Sequence, residues 1–321
     1  MNTTFTSSQI DQLAASLHRY LRPTPSVALA GALAPSVGRI FAKMELWQVT
    51  GSFKARGALA NIAALSDVQR QQGVTAVSAG NHAIATAFAA EVHGVDAKVV
   101  MTASAPAYRV ALAESFGAEV CIADDVHAAF EQVDAIVAGE QRHLIHPFEG
   151  KITAMATAGV GREFALDVED LDAVIVPVGG GGLAAGVSAA VRLTQPDCVV
   201  YGVEPQGADS MSRSFSAGSP QTLDRVQTIA DSLGAPMAMP ITYALCRDNI
   251  DQIVTVSDAE LRESMRLIHR ELTLCVEPAC AAALAALRGP LQTTLRDKRV
   301  GLIFCGSNID VASWSALVAE S

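Results

Sequence analysis

Lysine is scarce in this chain: Lys43, Lys54, Lys98, Lys151 and Lys298 are the only five. Lys54 stands in the run Thr50-Gly51-Ser52-Phe53-Lys54-Ala55-Arg56-Gly57. A Gly-Ser turn there precedes a helix predicted to run to about Leu65, with Ser52 as its N-cap. In the first helical turn the macrodipole and desolvation both disfavour an ammonium. A lysine kept partly neutral is what a Schiff-base nucleophile needs. Taken by itself, a surface lysine at a helix start is the plainer reading.

Three further runs carry chemistry. Ser78-Ala79-Gly80-Asn81-His82-Ala83 follows a strand and opens a helix. Its free backbone N–H groups, with the Ser78 and Asn81 side chains, make a cradle for a carboxylate; an ordinary capped turn is the alternative. Gly179-Gly180-Gly181-Gly182-Leu183 joins a strand to an Ala-rich helix. Four glycines let the backbone wrap an anion, and the helix adds its positive end. That loop also fits a degenerate dinucleotide fingerprint, Gly180-x-Gly182-x-x-Ala185, with Glu204 at the end of the next strand, so a nicotinamide-dependent oxidoreductase is the rival reading. Cys305-Gly306-Ser307-Asn308 follows a strand whose end would face the ligand crevice. Cys305 could donate a neutral hydrogen bond to a heterocycle, or pack as a small hydrophobe. His143 and His146 have no matching ligand set, and no G-x-S-x-G elbow is present.

The elements that must position these residues alternate. Apolar, β-branched runs predict strands at Arg39–Met44, Val74–Val77, Ala97–Met101, Glu119–Ile122, Ala173–Val178, Val199–Val203, Gln252–Val256 and Val300–Phe304. Between them lie helix-length segments such as His82–His93, Pro106–Phe116, Val126–Ala138 and Asp258–Glu271. The alternation predicts an α/β fold with two open, mostly parallel sheets and helices on both faces. Val74 to His146 reads as one βαβαβαβ block. The expected division is a large domain of residues 1–71 and 147–321 and a small domain of residues 72–146 carrying the Ser78 loop.

Composition narrows the function classes. The 321 residues are half hydrophobic and 17% charged, enough apolar material for a large core. The net charge of −10, from 33 acids against 23 bases, disfavours a nucleic-acid partner. No stretch is long and apolar enough to predict a transmembrane helix, and the polar start Met1 to Gln9 lacks a basic signal region. Six scattered cysteines without a C-x-x-C pair fit a reducing cytoplasm, and no membrane partner is expected.

Together the motifs resemble the fold-type II pyridoxal-phosphate enzymes, in the branch of serine/threonine dehydratases (ammonia-lyases) and serine racemases. The resemblance covers nearly the whole chain, with landmarks at Thr50–Gly57, Ser78–Ala83, His146-Pro147-Phe148, Gly179–Gly182, Val203-Glu204-Pro205, Thr228-Ile229-Ala230-Asp231, Val276-Glu277-Pro278 and Cys305–Asn308. It implies a tryptophan synthase β-subunit-like fold, bound pyridoxal 5'-phosphate and a homodimer. Lys54 would hold the cofactor aldehyde and shuttle the Cα proton. Phe53 would pack by the ring, Asn81 would bond its hydroxyl, Gly179 to Gly182 with Leu183 would hold the phosphate, and Cys305 would sit at the pyridine nitrogen. Ser78, Ala79, Gly80, Asn81 and His82 would grip the substrate carboxylate.

The implied reaction is β-elimination of a small L-β-hydroxy amino acid, such as threonine or serine, to a 2-keto acid and ammonia. Alternatives are a racemase, or a dehydratase of 3-hydroxyaspartate or phenylserine. Many dehydratases carry Gly-Gln-Gly-Thr where this chain reads Ala156-Thr157-Ala158-Gly159, which implies a differently shaped pocket wall. Ala79 replaces the serine that serves the second carbanion face in the family's racemases, so elimination should exceed racemisation. Relatives often bind a divalent cation where this chain has Glu204, Ala208 and Ser210. The hydroxyl in place of a carboxylate predicts weak Mg²⁺ or Ca²⁺ binding, or replacement by a monovalent ion or water.

Overall fold

The computed structural model describes residues 5–78 and 80–320. Among these described residues ten strands form two sheets: β1 (Ser26–Leu29), β2 (Arg39–Lys43), β3 (Val74–Val77), β4 (Ala97–Thr102), β5 (Glu119–Ala123), β6 (His143–Leu144), β7 (Ala173–Pro177), β8 (Val199–Pro205), β9 (Gln252–Val256) and β10 (Arg299–Ile303). The six-stranded sheet runs β1-β2-β10-β7-β8-β9, and the four-stranded sheet runs β5-β4-β3-β6. Every strand pairing is parallel except β1 with β2.

All eight strands expected from apolar runs are present, with ends shifted by a residue or so. β7 is buried at every position, as a strand covered on both faces must be. β6 supplies the fourth strand of the Val74–His146 block. β1 was not among the expected strands: it is a four-residue edge strand, partly exposed along its length, whose apolar run Val27-Ala28-Leu29 is short.

Helices Lys151–Asp167 and Gly182–Thr194 cross on the large sheet with their backbones nearly touching. A Cβ on Gly161 would lie 2.5 Å from the Val187 carbonyl, and one on Gly186 would lie 2.3 Å from the Ala154 carbonyl. The helix Lys54–Ala63 packs on both Asn81–His93 and Lys151–Asp167. Its Ala55, Leu59 and Ile62 join the core under the small sheet, although the chain reaches them before β3 begins. Lys54, at the start of this helix, therefore lies on the seam between the two sheets. No helix among the described residues is long and apolar enough to cross a membrane.

Candidate active site

Lys54 is delivered by a turn that is stitched to the end of β10. The Phe53 N–H donates to the Cys305 carbonyl at 3.1 Å, and the Ser307 N–H donates to the Gly51 carbonyl at 3.0 Å. Gly51 has φ +72°, and a Cβ there would lie 2.3 Å from Asn308 Oδ1, so only glycine fits. Ser52 does not cap the helix as expected. It is extended and bridges Gly306, while Phe53 takes the cap position without a side-chain bond. The bridge to Gly306 outcompetes the local cap because it closes a long-range turn beside the cleft. Ser52 Oγ is left buried without a partner.

Lys54 is half-buried, and its Nζ donates to the Pro147 carbonyl at 2.6 Å. Desolvation pulls its ammonium down to about 8, against the opposing pull of Cys305 and Glu277. Near pH 8 a large share of the amine is then neutral and nucleophilic.

The Ser78 loop faces Lys54 from the small-sheet side. The Gly80 N–H donates to Ser78 Oγ at 3.1 Å, and helix Asn81–His93 begins without a side-chain cap. Its first N–H groups are therefore open to an anion. Ala79 lies outside the described residues. His82 is buried, and because the Ile145 carbonyl 2.7 Å from its Nε2 only accepts, Nε2 is the protonated nitrogen. Burial first, and then the charge on Lys54, push His82 down to about 3, so it is a neutral positioning group.

Asn81 is held from both sides. Its Nδ2 donates to the Glu277 carboxylate at 2.9 and 3.0 Å, and its Oδ1 accepts from Asn308 Nδ2 at 2.6 Å. Glu277 also accepts from Ser232 Oγ at 2.8 Å and from the Asn308 N–H at 2.7 Å. Arg109, on the small-sheet side, donates to Asp231 at 2.6 Å and to the Asn308 carbonyl at 2.9 Å.

The tetraglycine loop opens helix Gly182–Thr194, whose cap Gly181 has φ +90° and offers no side-chain bond. A Cβ on Gly180 would run into the Phe148 ring at 2.2 Å, and one on Gly182 would meet the Phe148 carbonyl at 2.7 Å. Thr157 Oγ1 donates to the Gly182 carbonyl at 2.7 Å and ties the loop to helix Lys151–Asp167. Gly179 to Gly182 line a cavity of about 40 Å³ with Phe53, Lys54, Asn81, Leu183 and Cys305. The Cys280 thiol, then burial, hold the Cys305 thiol well above its usual range, so it is a neutral donor.

A cavity of about 230 Å³ adjoins this one and also reaches Lys54 and Asn81. It runs past Ser78, Gly80 and His82 to an outer wall of Val77, Ala129 and Phe130. The expected cation residues lie elsewhere. Glu204 is fully buried and accepts the Met211 and Ser212 N–H groups at 2.9 and 2.7 Å, capping helix Ser210–Ala217. Burial pushes Glu204 up to about 8. Ala208 and Ser210 are buried beside it, and Ser210 Oγ has no partner. Among the described residues no cluster of three His, Cys, Asp or Glu side chains is placed to hold a metal ion.

A family model described as "Pyridoxal-phosphate dependent enzyme" matches residues 17–306. The chain belongs to this family. A phenylserine dehydratase from Ralstonia pickettii is 49% identical over 308 residues, covering 96% of this chain and 94% of that protein. An L-threo-3-hydroxyaspartate ammonia-lyase from a Pseudomonas species is 38% identical over 281 residues, covering 87% and 88%. Among solved structures, maize serine racemase superposes with a TM-score of 0.90 at 31% identity, covering 98% and 97%. Serine racemase from Dictyostelium discoideum superposes with a TM-score of 0.87 at 30% identity, covering 96% and 100%. These likenesses establish the fold-type II architecture and remove the nicotinamide alternative.

The residues present fit pyridoxal phosphate. A dianionic phosphate matches the uncapped helix at Gly181–Gly182, where side chains are excluded. The neutral Cys305 thiol lines the same cavity as that helix start and supplies a polar atom to it. Two contributors lacked a motif signal: Arg109 and Phe130 stand only within the expected helices Pro106–Phe116 and Val126–Ala138. Glu277 stood in the landmark Val276-Glu277-Pro278, with no role assigned to it.

Proposed function

We propose that the chain is an ammonia-lyase that dehydrates an L-β-hydroxy amino acid with a bulky apolar β-substituent, of the phenylserine type. The observation that carries this is the outer wall of the larger cavity, where Val77, Ala129 and Phe130 meet no uncommitted cation. Lys54 is needed at Cα, His82 is neutral, and Arg109 is paired with Asp231. A second carboxylate, as in 3-hydroxyaspartate, would be desolvated there without a partner. An aryl group would instead bury against Phe130, which is 41% exposed as it stands. The Ralstonia relative, named for phenylserine, supports the same class.

In this reading Lys54 holds the cofactor aldehyde, and its amine takes the Cα proton. Bound pyridoxal phosphate supplies an electron sink for the Cα electron pair. The Ser78 hydroxyl and the uncapped N–H groups at Asn81 and His82 would hold the substrate carboxylate, and the Cys305 thiol would face the pyridine nitrogen without ionising. A neutral donor there would offer a hydrogen bond without the counter-charge that would keep that nitrogen protonated, which would favour elimination over racemisation. The β-hydroxyl would leave as water, and hydrolysis of the released enamine through its imine would take one water back, giving ammonia and a 2-keto acid.

The test compares kcat/KM for L-threo-phenylserine, L-threonine, L-serine and L-threo-3-hydroxyaspartate by keto-acid release. Phenylserine is expected to lead, and a lead for 3-hydroxyaspartate would overturn the reading. Phe130→Ala is expected to lower kcat/KM for phenylserine by about tenfold while sparing threonine. D-enantiomer should accumulate more slowly than keto acid, and Ala79→Ser should raise racemisation.

A further inference from the structure

The orientation of the Asn81 amide is set by a chain of hydrogen bonds anchored at both ends. At one end the Thr50 carbonyl, which can only accept, takes a bond from Asn308 Nδ2 at 2.7 Å. That fixes Asn308 Nδ2 as the atom that also donates to Asn81 Oδ1. At the other end Asn81 Nδ2 donates to Glu277, a carboxylate with no exposed surface. This end is an anchor only while Glu277 is ionised; once protonated, it can donate as well as accept.

Burial pushes the Glu277 carboxyl up, and a buried carboxylate stays ionised only beside compensating charge or donors, of which the Arg109 guanidinium is the strongest opposing influence here. The groups around Glu277 are Arg109 and Tyr108 from one helix, Asp231 and Ser232 from the facing segment, Asn81, Lys54, and Cys305 and Asn308 after β10. Arg109 Nη2 lies 3.6 Å from Glu277 Oε2, and Arg109 is itself 3% exposed. Its Nη1 binds the half-exposed Asp231, and its Nε binds the Asn308 carbonyl. The guanidinium also backs the Ser78 loop, since a Cβ on Gly80 would lie 2.7 Å from Nη1.

We propose that Arg109 is a positioning residue: reaching from the small-sheet side across the cleft, it holds Glu277 as a pure acceptor and so fixes which face of the Asn81 amide meets the cofactor. This rests on the cofactor and not on the substrate class, so failure of the phenylserine reading leaves it standing.

The holoenzyme is titrated between pH 5.5 and 9 while the visible absorbance of bound pyridoxal phosphate is followed. Cofactor affinity is measured separately by fluorescence. Arg109→Met is expected to raise the midpoint of the spectral transition by about one pH unit and to weaken cofactor binding about tenfold. Arg109→Lys should recover most of both. In Arg109→Met/Glu277→Gln the transition should vanish, because the titrating group is gone. Asp231→Asn removes a competing carboxylate and leaves Arg109 to Glu277, so its midpoint should fall; this variant decides the matter should Arg109→Met not fold. A wild-type titration and affinity in Arg109→Met, or a rise in Asp231→Asn, would overturn the proposal.

Discussion

At the scale of single residues, the working property of the cleft is that its ionisable groups are held away from their usual charge states. Lys54 is drawn down to about 8 by desolvation, while Cys305 is driven up and stays a thiol. For Lys54 this gives a direct prediction. Capture of free pyridoxal phosphate by the cofactor-free protein, followed at the absorbance of the adduct, should speed up from pH 7 to 9 and level off above. Lys54→Ala should abolish the adduct, and borohydride should trap it on the Lys54 peptide. A capture rate still climbing through pH 10 would show that the amine is not desolvated.

At the scale of elements, the tetraglycine loop depends on two helices that cross at glycines, with the small Thr157 side chain tying them there. Gly→Ala inside a helix usually stabilises by up to about 1 kcal/mol. At Gly186 the sign should reverse, because the new methyl would meet Thr157 Oγ1 at 2.2 Å and the Ala154 carbonyl at 2.3 Å. Gly186→Ala is expected to destabilise by about 2 kcal/mol in a denaturant titration and to weaken cofactor binding, since Thr157 also tethers the Gly182 carbonyl. At the start of helix Ser210–Ala217, Glu204 already spends its carboxylate on two backbone N–H groups. We therefore propose weak cation binding there, and sub-micromolar Mg²⁺ affinity by calorimetry would refute it.

At the scale of the whole molecule, a buried charge network joins β2, the Lys54 helix and helix Lys151–Asp167. Arg56 pairs with Glu45 at 2.8 Å and Glu163 at 2.6 Å, and Lys43 pairs with Glu163 at 2.9 Å. Glu45 has no exposed surface. Arg56→Met would strand it, and unfolding measurements should show a loss of about 3–5 kcal/mol. The pH dependence of stability has a second source in His82 and His146, which burial depresses to about 3 and about 4. Their folded values lie below the unfolded value of about 6.5. The unfolded chain therefore binds more protons in that window, and stability falls as pH drops from about 6.5 toward 4. His82→Gln should flatten the slope there by up to about 1.4 kcal/mol per pH unit. An unchanged slope would mean that His82 is protonated in the folded protein.

Residue types and their order suffice for those parts of the protein whose signals are local. Apolar runs of strand length and the glycines of positions 179–182 mark β7, the turn after it and the helix it opens, because burial on both faces and close backbone approach each leave a residue-by-residue signature. The place of Lys54 at a helix start was legible too, whereas its proposed role came from the family resemblance and not from that local signal. Which distant residues meet is settled by the tertiary fold alone. Residues 81, 109, 231, 277 and 308 converge on one hydrogen-bond network although they come from distant elements of the chain, a meeting that no local period encodes. Ser52 gave up its expected cap for the bridge to Gly306 on the same account. The apolar part of the larger cavity arose likewise: Val77 and, from a distant helix, Ala129 and Phe130 line the same cavity as Lys54.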